Sequence, residues 1–222
     1  MAYRFQPQPG GSPATTIGTQ SLLAQVLSIT ALGLCVTALA AYFFQNSVSS
    51  LVGLIAMLVG FGLLFAINAA RANEPLALLL FYAFTFLEGV GIAPVIGSYV
   101  RTIGPDVVYN AAITTGLGMF ALAAIVYATG LDLRRFAGYV YLALLGLVLV
   151  GIVSMFVHFI HPQTYAWITL AIFTFLVLID FARIRAGGDG LSPVQLSVSI
   201  YLDAINIFLA LLEIFGARSS RD

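Results

Sequence analysis

Long apolar runs alternate with short polar breaks along almost the whole chain. Six runs are long enough to cross a bilayer as helices, which requires about 20 mostly apolar residues each. They cover residues 21–44, 48–70, 75–100, 107–129, 136–159 and 165–184. A seventh run, 193–215, has the same length but contains Asp203, Asn206 and Glu213. The pattern predicts an all-α integral membrane protein, a transmembrane bundle of seven helices.

Composition supports a membrane environment. The 222 residues are 61% hydrophobic and 8% charged, and the mean hydropathy is +1.04. Soluble domains carry about 25% charged residues, so this chain has too little charge to cover a water-facing surface. Nine arginines and no lysines balance nine acidic residues, which gives no reason to expect nucleic-acid binding. We expect a disordered tail over residues 1–20, a membrane domain over 21–216 and a short tail over 217–222.

The arginines are unevenly divided between the two sets of loops. A cytoplasmic N-terminus places six arginines on the cytoplasmic side, namely Arg4, Arg71, Arg134, Arg135, Arg183 and Arg185. The opposite loops then hold only Arg101. Because cytoplasmic loops are rich in basic residues, this asymmetry favours a cytoplasmic N-terminus. Seven full spans would place Arg218 and Arg221 outside, whereas a re-entrant last segment would return them inside, and both arrangements stay open.

Four acidic side chains lie within the apolar runs, namely Glu88, Asp180, Asp203 and Glu213. A charge at the bilayer centre costs about 2.5–3.5 kcal/mol on insertion scales, so such groups face the bundle interior or a cavity. At about 100° per residue, Ser199, Asp203, Asn206 and Glu213 share one narrow stripe of an otherwise apolar helix. Such a helix suits the centre of a bundle, with its stripe facing a polar path. A stripe that only fixes helix packing through hydrogen bonds is the alternative.

Asp180 lies near the end of the sixth helix, where Arg183 and Arg185 make an interfacial salt bridge the simpler interpretation. At about 1.5 Å per residue, Asp180 lies roughly 8 Å from the helix end, and Asp203 roughly 15 Å from the start of the last helix. The two carboxyls meet only if the last helix begins outside the bilayer core. In contact they would share one proton and titrate jointly, which would make a proton-sensitive switch.

Two further polar residues are candidates for the same path. Glu88 is followed by two glycines and Pro94, which predicts a kinked helix with freed backbone carbonyls. Its depth is similar to that of Asp203, so it faces either the same cavity or a close packing contact. Glu213 lies near the far end, at the interface or paired with Arg218. Arg71 closes the second helix and could reach Asp180, although most arginines at such positions only mark topology.

Two pairs of residues allow an enzymatic interpretation. Ser154 and His158 stand four residues apart, as a nucleophile and its base would on one helix face, but no third group orients the histidine. Paired aspartates on consecutive helices also suit an intramembrane aspartyl protease. Such enzymes carry a Gly-x-Gly-Asp motif, whereas Asp203 follows Ile-Tyr-Leu. No metal-ligand or phosphate-binding pattern is present, so we expect no enzymatic activity and no cofactor, with the protease as an alternative.

Three stretches resemble the Bax inhibitor-1 family, also called the transmembrane Bax inhibitor motif family. The most specific is SIYLDAINIFLALLEIFG at residues 199–216, which resembles the end of these proteins. FTFLEGVGIAP at residues 84–94 is similar to the third helix of the family, and IDFARI at 179–184 to the end of its sixth helix. The resemblance covers roughly residues 20–216.

The resemblance implies a seven-helix bundle with the C-terminal helix at its centre and a pH-sensitive calcium leak. It also implies a di-aspartyl pH sensor at Asp180 and Asp203, and it suggests Arg71 as a latch on the sixth-helix aspartate. Ionised carboxylates would repel each other and let the second helix shift. The short tail suits a bacterial member in the plasma (inner) membrane. The competing class is a non-transporting regulator that binds other membrane proteins or a quality-control protease.

Calcium prefers oxygen ligands, so Asp180, Asp203 and Glu88 are the expected transient contacts for the ion. Further polar residues expected in the cavity are Ser199, Asn206 and Glu213. Calcium takes about six to eight ligands, and the acids are too few for a dedicated cage, so passage is expected rather than storage. The expected partners are calcium ions, protons and the lipid bilayer, and the sequence predicts no oligomeric state.

Overall fold

The computed structural model describes residues 14–157 and 159–219. Within them it contains seven helices that are long and apolar enough to cross a membrane, so the predicted helices are confirmed. They are α1 (Ala14–Phe44), α2 (Ser50–Ala69), α3 (Glu74–Thr102), α4 (Asp106–Thr129), α5 (Ala137–Val157), α6 (Pro162–Arg185) and α7 (Pro193–Ser219). Short 3-10 turns precede α5 (Arg134–Phe136) and α7 (Gly188–Gly190).

The two ends of the chain differ from prediction. Helix α1 begins at Ala14, inside the segment assigned to a disordered tail, because no proline follows Pro13 to interrupt a helix there. The rest of that segment, residues 1–13, lies outside the described residues. Helix α7 continues through Gly216 to Ser219, so residues 217–219 are helical. Helix α7 is one continuous helix, which favours a full span over the re-entrant alternative.

Helix α7 lies at the centre of the bundle, as predicted. In its most apolar stretch 56% of the residues are buried inside the protein, compared with 6% in the stretch that contains α5. It packs mainly against α1, α3, α4 and α6, whereas α2 packs on α3 and α5 on α6. The centre is therefore surrounded by four helices, and α2 and α5 lie outside them.

Glycines bring α3 close to both α1 and α2. A Cβ at Gly89 would lie 2.5 Å from the Thr37 carbonyl oxygen of α1. A Cβ at Gly53 of α2 would lie 2.9 Å from the Gly91 carbonyl oxygen and 3.1 Å from Pro94 Cγ. Small residues let membrane helices approach this closely. Helix α3 runs through Pro94 as one helix, and these contacts fix its rotation about its own axis.

The loops after α2, α4 and α6 form one end of the bundle, called here the arginine-rich end. Arg185 fastens two helices there, since its Nη1 donates to the Val126 carbonyl oxygen and its Nη2 to the Gly130 carbonyl oxygen, both at 2.7 Å. Both carbonyls lie at the C-terminal end of α4, where the Val126 carbonyl also accepts the N–H of Gly130, the residue that caps the helix. Arg185 thus holds the end of α6 against the end of α4.

Candidate functional site

Asp180 of α6 and Asp203 of α7 meet inside the bundle. Each residue is 3% exposed, and their carboxyl groups interact electrostatically. At about 1.5 Å per residue, Pro193 must then lie roughly 8 Å further along the bundle axis than Arg185. The linker of residues 186–192 spans this distance without strain, because an extended chain covers about 3.3 Å per residue. The length of the linker therefore allows the two aspartates to lie at the same level of the bundle.

Asp180 has close polar partners on both helices. Arg183 Nη1 donates to Asp180 Oδ1 at 2.7 Å, with the two side chains 15% and 4% exposed. The Ser199 hydroxyl of α7 lies near the same carboxyl. The short-range salt bridge expected for Asp180 is thus confirmed, but it is buried and belongs to the aspartate pair.

Asp203 is less well satisfied than its neighbour. Among the described residues its Oδ2 atom is buried without a hydrogen-bond partner. An unpaired buried polar group costs about 1–3 kcal/mol, and more if it is charged. Such an atom in a native protein calls for an explanation, such as a proton, a water molecule or an ion. Asp203 therefore presents a free oxygen at the point where two acidic groups face each other.

Two cavities open at the end of the bundle opposite the arginines. One, of about 790 Å³, lies between α5, α6 and α7 and is lined by Asn206 and Glu213 from the predicted stripe. Asn206 is one helical turn from Asp203, an axial rise of about 4.5 Å, so this cavity stops about one turn short of the aspartates. The other, of about 660 Å³, lies among the ends of α3, α4 and α7.

Glu213 lines both cavities. Its carboxylate accepts a hydrogen bond from the Tyr99 hydroxyl of α3. Within the described residues Glu213 forms no ion pair with Arg218, so the predicted pairing is not found. Glu213 therefore places a carboxyl group between the two openings, and the larger cavity also contacts Asn206.

Glu88 is not brought to the aspartate pair. Its Oε1 atom lies 3.5 Å from the position that a Cβ on Gly60 of α2 would occupy, and it lies on the side of α7 that carries Tyr201. At about 100° per residue, Tyr201 points roughly 160° away from Asp203 on α7. The sequence prediction concerned only the depth of Glu88, which it put close to that of Asp203. The rotation of α3 about its own axis turns the Glu88 side chain toward α2.

Arg71 is not brought to Asp180 in this conformation. It follows the end of α2 with an exposed side chain, and among the described residues it forms no ion pair. Arg183 occupies the position at Asp180 that the resemblance gave to Arg71. The signal for Arg183 was its spacing of three residues from Asp180 on one helix, which places both side chains on the same face.

A hydroxyl cluster on the other face of α7 was not predicted. Tyr201 is 0% exposed, and its hydroxyl shares a 2.6 Å hydrogen bond with Thr37 Oγ1 of α1. Thr37 Oγ1 also lies 2.8 Å from the Thr85 carbonyl oxygen of α3. The Phe81 and Phe84 rings pack edge-on against Tyr201. The cluster joins α1, α3 and α7, and it was missed because one threonine in an apolar helix gives no distinctive pattern.

The described residues form no enzymatic or metal site around the remaining candidates. His158 lies outside the described residues, so its relation to Ser154 is not tested. The buried Ser154 Oγ has no hydrogen-bond partner within the described part of the chain. In the same part, no three His, Cys, Asp or Glu side chains gather into a group that could hold a metal ion.

The fold and the site define a polytopic helical membrane protein with a buried carboxyl pair at its core. The chain belongs to the family described as inhibitor of apoptosis-promoting Bax1, whose model matches residues 19–220. It is 27% identical over 220 residues to an uncharacterized membrane protein of Streptococcus pyogenes serotype M1, covering 90% of this chain and 94% of the relative. It is 24% identical over 210 residues to an uncharacterized membrane protein of Vibrio cholerae serotype O1, covering 93% and 94%.

Proposed function

We propose that this protein is a pH-sensitive calcium leak channel gated by Asp180 and Asp203. The observation that carries the proposal is the buried Oδ2 atom of Asp203, which faces a second carboxyl and has no hydrogen-bond partner in the described residues. Carboxylate oxygens are the ligands that calcium prefers. The pair supplies too few oxygens for a closed cage of about six to eight ligands, which favours passage over storage.

The cavities support a path from the end opposite the arginines. An ion that enters past Glu213 reaches Asn206 in the larger cavity, about one turn from Asp203. On the arginine-rich side of the aspartates, the Arg183 guanidinium forms an ion pair with Asp180. Its positive charge repels a cation. We therefore interpret this conformation as closed at the arginine-rich end.

The pH sensitivity follows from two acidic groups sharing one site. The charged and polar groups that face them are Arg183 of α6 and Ser199 of α7. A shared proton removes the repulsion between the carboxyls, and loss of that proton restores it. We expect the protonated pair to be closed and the doubly ionised pair to favour opening and calcium contact.

The orientation is also part of the proposal. The excess of arginine at one end favours a cytoplasmic position for that end. The two cavities then open on the outer side of a bacterial plasma (inner) membrane, so calcium would enter from outside. No enzymatic step or resident cofactor is proposed.

Calcium flux into liposomes that contain the purified protein tests the proposal. The measurement runs from about pH 5 to about pH 8 with Asp180→Asn and Asp203→Asn. We expect wild-type flux to rise with pH, and both variants to lose most of that dependence. Glu74→Gln is the matched control, because it removes one exposed carboxylate at the start of α3.

Absence of flux from the wild-type protein would refute the channel. Wild-type pH dependence in both aspartate variants would refute the sensor while leaving the channel in place. Cleavage of a membrane peptide that either substitution abolishes would instead establish the aspartyl protease.

A further inference from the structure

A continuous chain of ion pairs leads from a surface loop to the buried aspartates. Arg134, in the turn before α5, binds Asp132 through Nη2 at 2.8 Å and Asp189 through Nη1 at 2.8 Å. Asp189, in the linker between α6 and α7, lies 3.7 Å from Arg183 Nε through its other oxygen. Arg183 Nη1 then reaches Asp180 at 2.7 Å. Opposite charges thus alternate over five side chains.

The three outer side chains of this series of ion pairs are more exposed to solvent than the two inner ones. The side chains of Asp132, Arg134 and Asp189 are 43%, 33% and 45% exposed, whereas those of Arg183 and Asp180 are 15% and 4% exposed. Salt weakens interactions between exposed charges much more than between buried ones. The outer pairs are therefore open to the ionic conditions at the arginine-rich end, and the inner pair is protected.

Arg183 is held by three elements at once. Its Nη1 binds Asp180 on α6, its Nη2 donates to the Tyr141 hydroxyl of α5 at 3.3 Å, and its Nε faces Asp189 in the linker. A guanidinium offers five donors in a fixed fork and keeps its charge at physiological pH. Arg183 can therefore place a permanent positive charge in the path of a cation, at a position that depends on Asp189 and Tyr141.

The linker is shaped to present Asp189. Its φ is 52°, the only positive φ outside glycine in the described chain, and Gly188 and Gly190 beside it also have positive φ, 87° and 79°. The left-handed conformation disfavours most side chains but is tolerated by Asp and Asn. The described backbone thus holds the Asp189 carboxylate between two arginines in an otherwise unfavourable conformation.

We propose that Arg183 is the positioning residue that closes the arginine-rich side of the site, held in place by the outer Arg134–Asp189 ion pair. This inference rests on the proposed function. Release of the outer pair lets Arg183 swing toward water, which removes the positive charge from the path and frees Asp180 for a cation. Ionic strength at this end then becomes a second control on flux beside pH.

The test compares Arg134→Gln and Asp189→Asn with Arg135→Gln at one fixed pH. Arg135 is the neighbouring exposed arginine and stacks on Phe136. Its variant has the same charge change as Arg134→Gln and breaks no ion pair within the described residues. Asparagine keeps the left-handed backbone at position 189. We expect both pair-breaking variants to leak about two- to five-fold faster than wild type, the range that one exposed ion pair supports. The double variant should leak no faster than either single one.

Salt provides the readout that a merely structural role would not change. Choline chloride on both sides, from about 0.01 M to about 1 M, shortens the Debye length from about 30 Å to about 3 Å. Wild type and Arg135→Gln should gain flux with salt, whereas Arg134→Gln and Asp189→Asn should already be fast and gain little. Equal salt responses in all four proteins would overturn the proposal.

Hydrogen exchange separates this inference from the channel itself. Exchange of residues 186–192 is measured by mass spectrometry on the full chain in lipid nanodiscs and does not depend on flux. Faster exchange in Arg134→Gln and Asp189→Asn than in Arg135→Gln supports the ion-pair chain even if wild type shows no flux. Equal exchange in the three variants would refute the chain even if the wild-type protein conducts calcium.

Discussion

Replacement of Thr37 by valine gives the sharpest test of how α7 is fixed in the bundle. The substitution removes one hydroxyl and keeps the branched shape of the side chain. Tyr201 is 0% exposed, and its hydroxyl has Thr37 Oγ1 as its hydrogen-bond partner at 2.6 Å. We expect Thr37→Val to leave a phenolic hydroxyl without a partner in the protein interior.

The magnitudes follow from which groups lose their partners. An unpaired buried hydroxyl costs about 1–3 kcal/mol, so Thr37→Val should destabilise the protein by about that amount. Tyr201→Phe should cost about 0.5–1.5 kcal/mol, because Thr37 keeps the Thr85 carbonyl at 2.8 Å. The contacts with Phe81 and Phe84 survive in that variant. The double variant should cost less than the sum by about 0.6 kcal/mol, the average measured for hydrogen bonds between membrane helices, and by at most about 1.7 kcal/mol.

Unfolding of the purified variants in one detergent provides the measurement, with Thr37→Ser as the control that retains a hydroxyl. We expect the free energy of unfolding to fall most for Thr37→Val, less for Tyr201→Phe and least for Thr37→Ser. Equal losses in the valine and serine variants would refute the hydrogen-bond argument. Additive losses in the double variant would show that the two hydroxyls are not energetically coupled.

Two further predictions concern the two ends of the bundle. Hydrogen bonds from Arg134 lower the pKa of Asp132 from the ordinary value of 3.8 to about 2. Because the pKa is lowered, the Asp132–Arg134 pair is intact above pH 3.8 and is lost only as the pH falls through about 2. Asp132→Asn should therefore leave the pH dependence of liposome flux unchanged from about pH 5 to about pH 8, and a shifted profile would contradict this. Gly216→Ala places a methyl group against the Tyr99 ring and should lower the free energy of unfolding by about 1–3 kcal/mol. Gly138→Ala, where a Cβ meets nothing within 4 Å, is the control, and equal losses in the two variants would contradict the packing argument.

The sequence was sufficient for the helices and for the central position of α7. Lipid requires about 20 apolar residues per span, so the apolar runs define the helices with little ambiguity. The polar stripe through Asp203 separates α7 from helices that face lipid on one side. Helix ends were less predictable. Helix α1 begins just after Ser-Pro at residues 12–13, a start signal that the prediction did not use, and α7 continues past Gly216, a residue type that often ends helices.

The site was predictable only where neighbours on one helix decide it. The pairing of Asp180 with Arg183 follows from their spacing of three residues. The positions of Glu88 and Arg71 depend instead on how far α3 and α2 rotate about their axes. Residue counting gives the depth of a side chain but not its direction, and the direction of Glu88 is set by glycine contacts with α1 and α2 that connect distant parts of the chain.

If the bundle opens as proposed, the distribution of satisfied bonds favours movement of one part over the rest. On one face of α7, Tyr201 and its hydroxyl partners tie this helix to α1 and α3. On the other face, Asp203 keeps an unpaired oxygen within the described residues, and the end of α6 is held by ion pairs that reach the surface. Breaking a buried, satisfied hydrogen bond costs more than releasing an exposed ion pair. We therefore expect α1, α3 and α7 to stay together during the proposed opening, while the linker between α6 and α7 moves, rather than the second helix that the resemblance suggested.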